Sequence, residues 1–194
     1  MVSARVCRAF SLTDVSHDDL ATCTRCALSL TRQRVVIGSG PAQAPLVVVG
    51  EAPGRSEDEG GEPFIGRSGQ LLVGLIEAEL GLRREDYFIT NVVKCRPPEN
   101  RTPRVREIEC CRPWLEEQLL SRRTSVVLAV GNTAGRAVFG YREALRDVHG
   151  TFFDGELARG LVTFHPAAAL RGGPSVVAMI REDLGRLRAL WESV

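Results

Sequence analysis

The sequence lacks the marks of several large classes of protein. No apolar run approaches the roughly 20 residues that a membrane-spanning helix needs. The N-terminus has no basic segment followed by an apolar run, which a secretory signal would require, and there are no repeats or low-complexity segments. The formal net charge of +1 excludes a basic coat for nucleic acid, so any such binding must rest on local positive charge. We therefore expect a cytoplasmic protein with no membrane association.

Familiar nucleotide- and calcium-binding motifs are also missing. The segment 51–69 is rich in glycine, proline and acidic residues and is predicted to be a long loop. It lacks the Gly-Lys-Ser/Thr of a Walker A motif and the spacing of a calcium-binding loop. The glycines of segment 38–40 are too few for a dinucleotide-binding fingerprint. No organic cofactor is therefore expected.

Six cysteines are present, and their spacing is that of a ligand set. Cys23 and Cys26 form a CxxC motif, Cys95 follows far downstream, and Cys110 and Cys111 are adjacent. A disulfide framework is one alternative, but 194 residues can bury a core without such cross-links. Free thiols in a reducing compartment instead indicate a metal or cluster site. Four thiolates suit zinc and an iron–sulfur cluster equally well, so spacing alone leaves both open.

Short valine-rich runs alternate with helical patterns along the chain. Buried parallel strands are predicted at 46–50, 87–91, 125–130 and 161–164. Helices are predicted at 70–80, 132–139 and 174–191, and another begins with Thr102 as its N-cap. This alternation predicts an α/β fold, a three-layer α/β/α sandwich with a central, mostly parallel four-stranded sheet. We expect residues 1–194 to form a single domain, in which residues 1–45 are an N-terminal arm that carries the CxxC motif.

Polar side chains occur where the predicted strands end, and ligands of such sheets bind at that edge. Glu51, Asn91 and His165 hold these positions. Capping of a turn is the plain alternative for Asn91, and packing at a strand–loop junction is the alternative for His165. An amide, however, presents a donor beside an acceptor, as the edge of a pyrimidine does. Phe64, in the polar loop, is either a core anchor or a stacking platform.

Arginines cluster in two stretches of the chain. They are Arg96, Arg101, Arg104 and Arg106 in the first, and Arg122 and Arg123 in the second. The plain interpretation is a solvated charged face, and the alternative is a local contact with nucleic acid.

Five segments form an ordered pattern that runs from about Cys23 to Arg171. They are CTRC at 23–26, VGEAPG at 49–54 with GEPFIG at 61–66, GQLL at 69–72, TNVVKCRPP at 90–98, and FHPAA at 164–168 followed by Leu170 and Arg171. Together they resemble the family-four uracil-DNA glycosylases, the iron–sulfur branch of that superfamily. Any one of these motifs is weak, but five in order with the cysteines between them are specific.

The resemblance implies a DNA-repair enzyme that removes uracil from single- and double-stranded DNA by hydrolysing the N-glycosidic bond. A base inside a duplex must be flipped into a pocket to be reached. There Phe64 would stack on uracil, and Asn91 would donate to O4 and accept from N3–H, a pattern that cytosine reverses. Glu57 or nearby backbone would crowd C5 and exclude the thymine methyl group.

The resemblance also implies catalytic roles. His165 would donate a hydrogen bond to uracil O2 as negative charge gathers on the departing base. Glu51, Ala52 and Pro53 would line the sugar side of the pocket. The best-known uracil glycosylases have aspartate where Ala52 stands, so Glu51 is the candidate for orienting the water. An oxocarbenium-like sugar needs little nucleophilic push, and a weak base therefore suffices.

The remaining implications concern DNA contact and the cluster. Contacts with DNA would be made by Arg96, Arg101, Leu170 and Arg171, with Leu170 as a wedge in the minor groove. A structural 4Fe–4S cluster would be held by Cys23, Cys26, Cys95 and Cys111, which leaves Cys7 and Cys110 as spare thiols. Helical geometry agrees, because it places Cys111 near the apolar face of its helix and Cys110 away from it.

We expect a prokaryotic, nucleoid-associated monomer. A non-catalytic, metal- or cluster-containing nucleic-acid-binding module and an iron–sulfur redox protein are the alternatives.

Overall fold

The computed structural model describes residues 17–122 and 125–192, in which helices cover a central five-stranded sheet. The strands are β1 (Leu46–Gly50), β2 (Phe88–Asn91), β3 (Val126–Val130), β4 (Phe152–Asp154) and β5 (Arg159–Thr163). The α-helices are α1 (His17–Ala21), α2 (Arg55–Gly60), α3 (Arg67–Leu80), α4 (Val105–Leu120), α5 (Asn132–Phe139), α6 (Leu145–Val148), α7 (Pro166–Gly172) and α8 (Pro174–Glu192). Short 3-10 helices are Ala27–Leu30, Arg84–Asp86 and Pro98–Asn100.

The strand order in the sheet is β2-β1-β3-β5-β4. The first four strands in this order pair in parallel, whereas β4 pairs antiparallel with β5 at one edge. The mostly parallel α/β sandwich is therefore confirmed, but the prediction of four strands is wrong. β4 is short and holds Phe152 and Phe153 rather than a valine-rich run, so the sequence pattern gives no signal for it.

Two apolar cores flank the sheet, because successive side chains of a strand point to opposite faces. Val47 and Val49 of β1 pack in the core that includes Trp114 of α4. Leu46 and Val48 pack in the other core, with residues of α3 and α8 that include Ile76 and Leu184. Burial on both faces is the reason why the strands have continuous apolar runs.

Two predicted boundaries are wrong. The segment 51–69 is not all loop, because it contains α2 and the start of α3. α2 buries Glu57 and Asp58 rather than an apolar stripe, so periodicity does not reveal it. The helix predicted from Thr102 begins at Val105, where Glu107 accepts a hydrogen bond from the Arg104 N–H at 2.8 Å. Pro113 lies within α4 without ending it.

The described part of the N-terminal arm packs against the sheet. Leu20 and Leu28 pack in the core that contains Val47 and Val49 of β1. Ser39 and Ile89 exchange backbone hydrogen bonds of 2.9 and 3.0 Å, so the arm runs along the outer edge of β2. Cys7 and Arg123, named in the sequence analysis, lie outside the described residues. In the part of the chain that the structure describes, no helix has the length and apolarity of a membrane span.

Candidate active site

A cavity of about 550 Å³ opens where β1, β2, β3 and β5 end. It is lined by every residue that the sequence predicts to bind the substrate, namely Glu51, Ala52, Pro53, Glu57, Phe64, Asn91 and His165. Parallel strands bring their carboxyl ends to one edge of the sheet, and this arrangement unites residues that are far apart in sequence. Their chemical roles stay predictions.

The Asn91 amide and the Phe64 ring meet beside Gly50. Asn91 is opposite Gly50 in the register of β1 and β2, and it is 2% exposed. A Cβ atom on Gly50 would overlap both the Asn91 Oδ1 and the Phe64 ring, so glycine is required for this close approach. Among the described residues, none forms a hydrogen bond with the Asn91 amide, which leaves its donor and acceptor available in the cavity.

Phe64 is a core residue and also lines the cavity, so the sequence-based alternatives of a core anchor and a stacking platform do not exclude each other. Its side chain is buried in the core that contains α3, and it also lines the cavity. Its backbone has φ 60°, a left-handed conformation that costs a non-glycine residue free energy. Gly69 of α3 packs directly on this backbone, at a distance that a Cβ would not permit. The packing of Gly69 on the Phe64 backbone therefore fixes the position of the ring in the cavity wall.

His165 is held as a neutral hydrogen-bond donor. Its Nδ1 accepts the Ala167 N–H at 3.1 Å, at the start of α7. A neutral imidazole that accepts at Nδ1 carries its proton on Nε2. Burial, and next the positive charge of Arg171, lower the pKa of His165 to about 4, whereas the Glu57 carboxylate opposes this shift. At neutral pH the ring is therefore uncharged, with Nε2–H as its donor.

Glu51 is held by Thr133, for which the sequence pattern predicts no role. The Thr133 hydroxyl, near the start of α5, donates to Glu51 Oε2. The signal that could have found it is its position just after Gly131, where β3 ends. Further polar lining residues that were not predicted as site residues are Ser68, Asn100, Thr102 and Asn132.

The carboxylate of Glu57 joins two turns of the cavity wall. Its Oε2 accepts the Gly54 N–H at 3.0 Å, and its Oε1 accepts the Gly66 N–H at 2.8 Å. Both oxygens therefore have backbone partners, and Glu57 is 9% exposed. This geometry fixes the turns on either side of α2, which frame the Phe64 ring.

Only some of the residues predicted to contact DNA lie at the cavity. Arg101 and Arg171 line the cavity, whereas Arg96 and Leu170 do not. The Arg101 guanidinium forms two hydrogen bonds, of 2.7 and 2.8 Å, with the buried carboxylate of Glu107, which the sequence did not predict. Arg96 Nε donates to Asn100 Oδ1 at 2.7 Å. Leu170 is 50% exposed on α7, in the turn that follows His165.

The four predicted cluster ligands line a second, smaller cavity. Cys23, Cys26, Cys95 and Cys111 are free thiols there, and Cys110 also lines it. Cys110 is disulfide-bonded, so the prediction that it is a spare thiol is wrong. Cys111 packs in the same core as Trp114, as the helical geometry predicts. Within 17–122 and 125–192, no group of three or more His, Cys, Asp or Glu side chains is arranged to hold a metal ion.

The chemistry of this cysteine site suits a cationic group. Burial raises the pKa of Cys95 to about 12 and that of Cys111 to about 11. Arg32 Nη1 donates to Cys95 Sγ at 3.4 Å, and the positive charge of Lys94 favours the Cys111 thiolate. Thiols must be deprotonated to bind a metal, so a buried set of four requires iron or another cation to offset its charge.

Comparisons with known proteins agree with this geometry. The family model of the uracil DNA glycosylase superfamily matches residues 37–185. A type-4 uracil-DNA glycosylase of Pyrobaculum aerophilum is 42% identical over 176 residues, which are 87% of this chain and 89% of that protein. The type-4 enzyme of Saccharolobus solfataricus is 38% identical, over 90% of this chain and 84% of that protein. The type-4 enzyme of Thermotoga maritima is 38% identical, over 92% and 94%.

Proposed function

This chain belongs to the uracil-DNA glycosylase superfamily, in its type-4 branch, and from that premise we propose that it flips uracil out of DNA and hydrolyses the N-glycosidic bond. The enzyme is thus a DNA-repair hydrolase that leaves an abasic site. The observation that carries the proposal is the convergence of Asn91, Phe64 and His165 in the same cavity. A flat ring, an unpaired amide and a neutral donor are the groups that recognition and departure of a pyrimidine require.

Base selection rests on Asn91 and Phe64. The amide NH₂ donates to uracil O4 while its oxygen accepts N3–H, and cytosine presents the opposite pattern at both atoms. The Phe64 ring supports one face of the base, and such stacking contributes about 1–3 kcal/mol per base. Glu57 keeps the surrounding turns in place through Gly54 and Gly66. We propose that Glu57 and these turns crowd C5 of the base and thereby exclude the thymine methyl group.

Bond cleavage rests on His165 and Glu51. The C1′–N1 bond breaks and its electron pair leaves on uracil, where charge accumulates on O2. The neutral His165 donates its Nε2–H to O2, and such preorganised donors contribute most where charge develops. Water adds to C1′ and gives its proton to Glu51, whose carboxylate Thr133 holds in place. The aspartate position of other uracil glycosylases is held here by Ala52.

DNA contact rests on α7 and on the loop that follows β2. Leu170 presents an apolar side chain beside the cavity, and Arg171 lines the cavity wall. Leu170 fills the space that the flipped base leaves in the stack, while Arg171 and Arg96 contact phosphates. Arg101 braces the loop through Glu107 and contributes less charge to DNA than its position suggests.

Cys23, Cys26, Cys95 and Cys111 would hold a structural 4Fe–4S cluster. Their bonds to it would cross-link the arm, the loop after β2, and α4. Four thiolates suit zinc as well as iron, so the cysteines alone do not decide between them. The resemblance to the iron–sulfur branch of the superfamily favours the cluster over zinc.

We further propose that the enzyme acts as a monomer on single- and double-stranded DNA in the prokaryotic cytoplasm, associated with the nucleoid. All groups of the proposed mechanism come from one chain, so no second subunit is needed to complete the site.

Incubation with single- and double-stranded oligonucleotides that contain one uracil, followed by alkaline cleavage at abasic sites, tests the function. We expect cleavage of the uracil strands and no cleavage of matched strands that contain thymine or cytosine. Iron-replete protein that binds the uracil strand without releasing the base would contradict catalysis and indicate the nucleic-acid-binding module. Electron transfer without base release would indicate the redox protein.

A further inference from the structure

Lys94 is a buried cation that the proposed mechanism does not use. It follows β2 by three residues, and its side chain is 1% exposed. A buried ammonium group is costly unless protein oxygens replace its water shell. Among the described residues, no carboxylate forms an ion pair with it. A buried charge without an ion-pair partner is rare in a core, and its contacts indicate what it does.

Each of the three ammonium protons of Lys94 has an acceptor. The Nζ donates to the Asn91 carbonyl oxygen at 2.6 Å, to Gln118 Oε1 at 2.7 Å and to Thr90 Oγ1 at 2.8 Å. An ammonium group has three donors, so these bonds satisfy it completely. Thr90 and Gln118 also donate to the Ile37 carbonyl of the arm, at 3.0 and 2.9 Å. The network therefore ties the end of β2 to α4 and to the arm.

The same residue contacts the cysteine site. The Lys94 backbone forms a hydrogen bond with Cys111, and Cys95 is its neighbour in the chain. Lys94 thus stands between the amide that reads the base and two of the four proposed cluster ligands.

We propose that Lys94 is a positioning residue for uracil selection, whose ammonium group fixes the Asn91 carbonyl and thereby the direction of the Asn91 amide. This inference rests on the proposed function. A side-chain amide has no partner of its own here, so its direction depends on the backbone that carries it. Lys94 holds that backbone at the carbonyl, and it connects this point to the cysteine site.

A double-mutant cycle tests the proposal. Lys94→Met keeps an unbranched side chain of nearly the same length and removes the charge and all three donors. We expect it to lower the single-turnover rate of uracil release about 10- to 100-fold in the wild-type background and less than about threefold in an Asn91→Ala background. If Lys94 acts through Asn91, its substitution has little further effect on the rate once the Asn91 amide is absent. A general loss of structure would instead lower the rate by the same factor in both backgrounds.

Leu170→Ala is the matched control for this cycle, because it acts on DNA rather than on Asn91. We expect its effect to be the same in both backgrounds. An equal loss for Lys94→Met in both backgrounds, or no loss at all, would overturn the proposal. If Lys94→Met fails to fold, Gln118→Leu removes one acceptor of the same ammonium and is tested in the same cycle with the same criteria.

Hydrogen exchange separates this inference from the proposed function. We expect the amides of segment 91–93 to exchange faster in Lys94→Met, or in Gln118→Leu, while those of β3 stay unchanged. This readout does not require catalysis, so wild-type protein that released no uracil would contradict the proposed function alone. Unchanged exchange at 91–93 in the variants would contradict the role of Lys94 even if the wild-type protein were active.

Discussion

Individual residues of the site depend on neighbours that hold them in one chemical state. His165 is the clearest case, because its hydrogen bond from the Ala167 N–H and its low pKa both favour the neutral ring. Protonation would place a hydrogen on Nδ1, directly opposite the Ala167 N–H, and would disrupt the start of α7.

The pH dependence of uracil release follows from this arrangement. Free histidine has a pKa near 6.5, whereas burial lowers the pKa of His165 to about 4. The active neutral form is therefore populated at every pH above about 4. We expect the single-turnover rate, measured from pH 4 to 8, to show no decline near 6.5 that belongs to His165. A decline centred near 6.5 that disappears in His165→Gln would show that the active ring is not held neutral.

Gly50 provides a second prediction, because it has a natural control in Gly74. A Cβ on Gly50 would overlap the Asn91 amide and the Phe64 ring, whereas a Cβ on Gly74 meets nothing within 4 Å. We expect Gly50→Ala to lower uracil release more than about tenfold and to destabilise the fold by about 1–3 kcal/mol. Gly74→Ala, within α3, should keep full activity and raise stability by about 0.5–1 kcal/mol. Rates and chemical unfolding of both variants decide the matter, and equal rates would contradict the packing argument.

Among the elements, α7 carries both a proposed catalytic residue, His165 at its N-cap, and two proposed DNA contacts. It begins after His165 and presents Leu170 and Arg171 one to two turns later. A wedge is needed only where a base leaves a duplex, because a single strand has no stack to refill. The element therefore should matter more for one substrate than for the other.

Leu170→Ala tests this distinction. We expect the rate on double-stranded uracil DNA to fall about tenfold, since an inserted side chain offsets an unstacking cost of a few kcal/mol, and the rate on single strands to change less than about twofold. Leu30→Ala is the control, because Leu30 is 71% exposed and lies outside the cavity. An equal loss of rate on double- and single-stranded DNA would contradict the role of Leu170 as a wedge.

The sequence predicted those parts of the molecule that rest on local patterns. The strand ends were found because buried strands have continuous apolar runs, and parallel sheets then bring Glu51, Asn91 and His165 together. α2 and β4 were missed, since neither has an apolar period of its own. Thr133 and the pairing of Arg101 with Glu107 were also missed, because these contacts depend on the packing of elements far apart in sequence.

At the scale of the whole molecule, the cysteine site joins the arm to the rest of the fold. Cys23 and Cys26 belong to the arm, Cys95 follows β2, and Cys111 lies in α4. A bound cluster would therefore link three parts of the folded chain, and its bonds would also close long loops of the unfolded chain.

The choice of the fourth ligand gives the last prediction. We expect Cys111→Ser to lose most of its iron and to unfold at a lower temperature, whereas Cys110→Ser keeps its iron and its brown colour. Iron and sulfide analysis, together with thermal unfolding, measures both outcomes. Iron loss in Cys110→Ser but not in Cys111→Ser would reverse the assignment.

The arm's contact with β2 has a consequence for the fate of the protein in the cell. β2 is the outermost parallel strand, and Ser39 occupies backbone groups of Ile89 that would otherwise be open at the edge of the sheet. Unpaired strand edges template aggregation between chains. We expect iron starvation to remove the cross-link but not the hydrogen bonds to Ile37, and so to loosen the arm and uncover part of this edge. Such cells would then lose the enzyme to aggregates and proteases rather than keep a slower enzyme, so iron supply would set the amount of repair capacity.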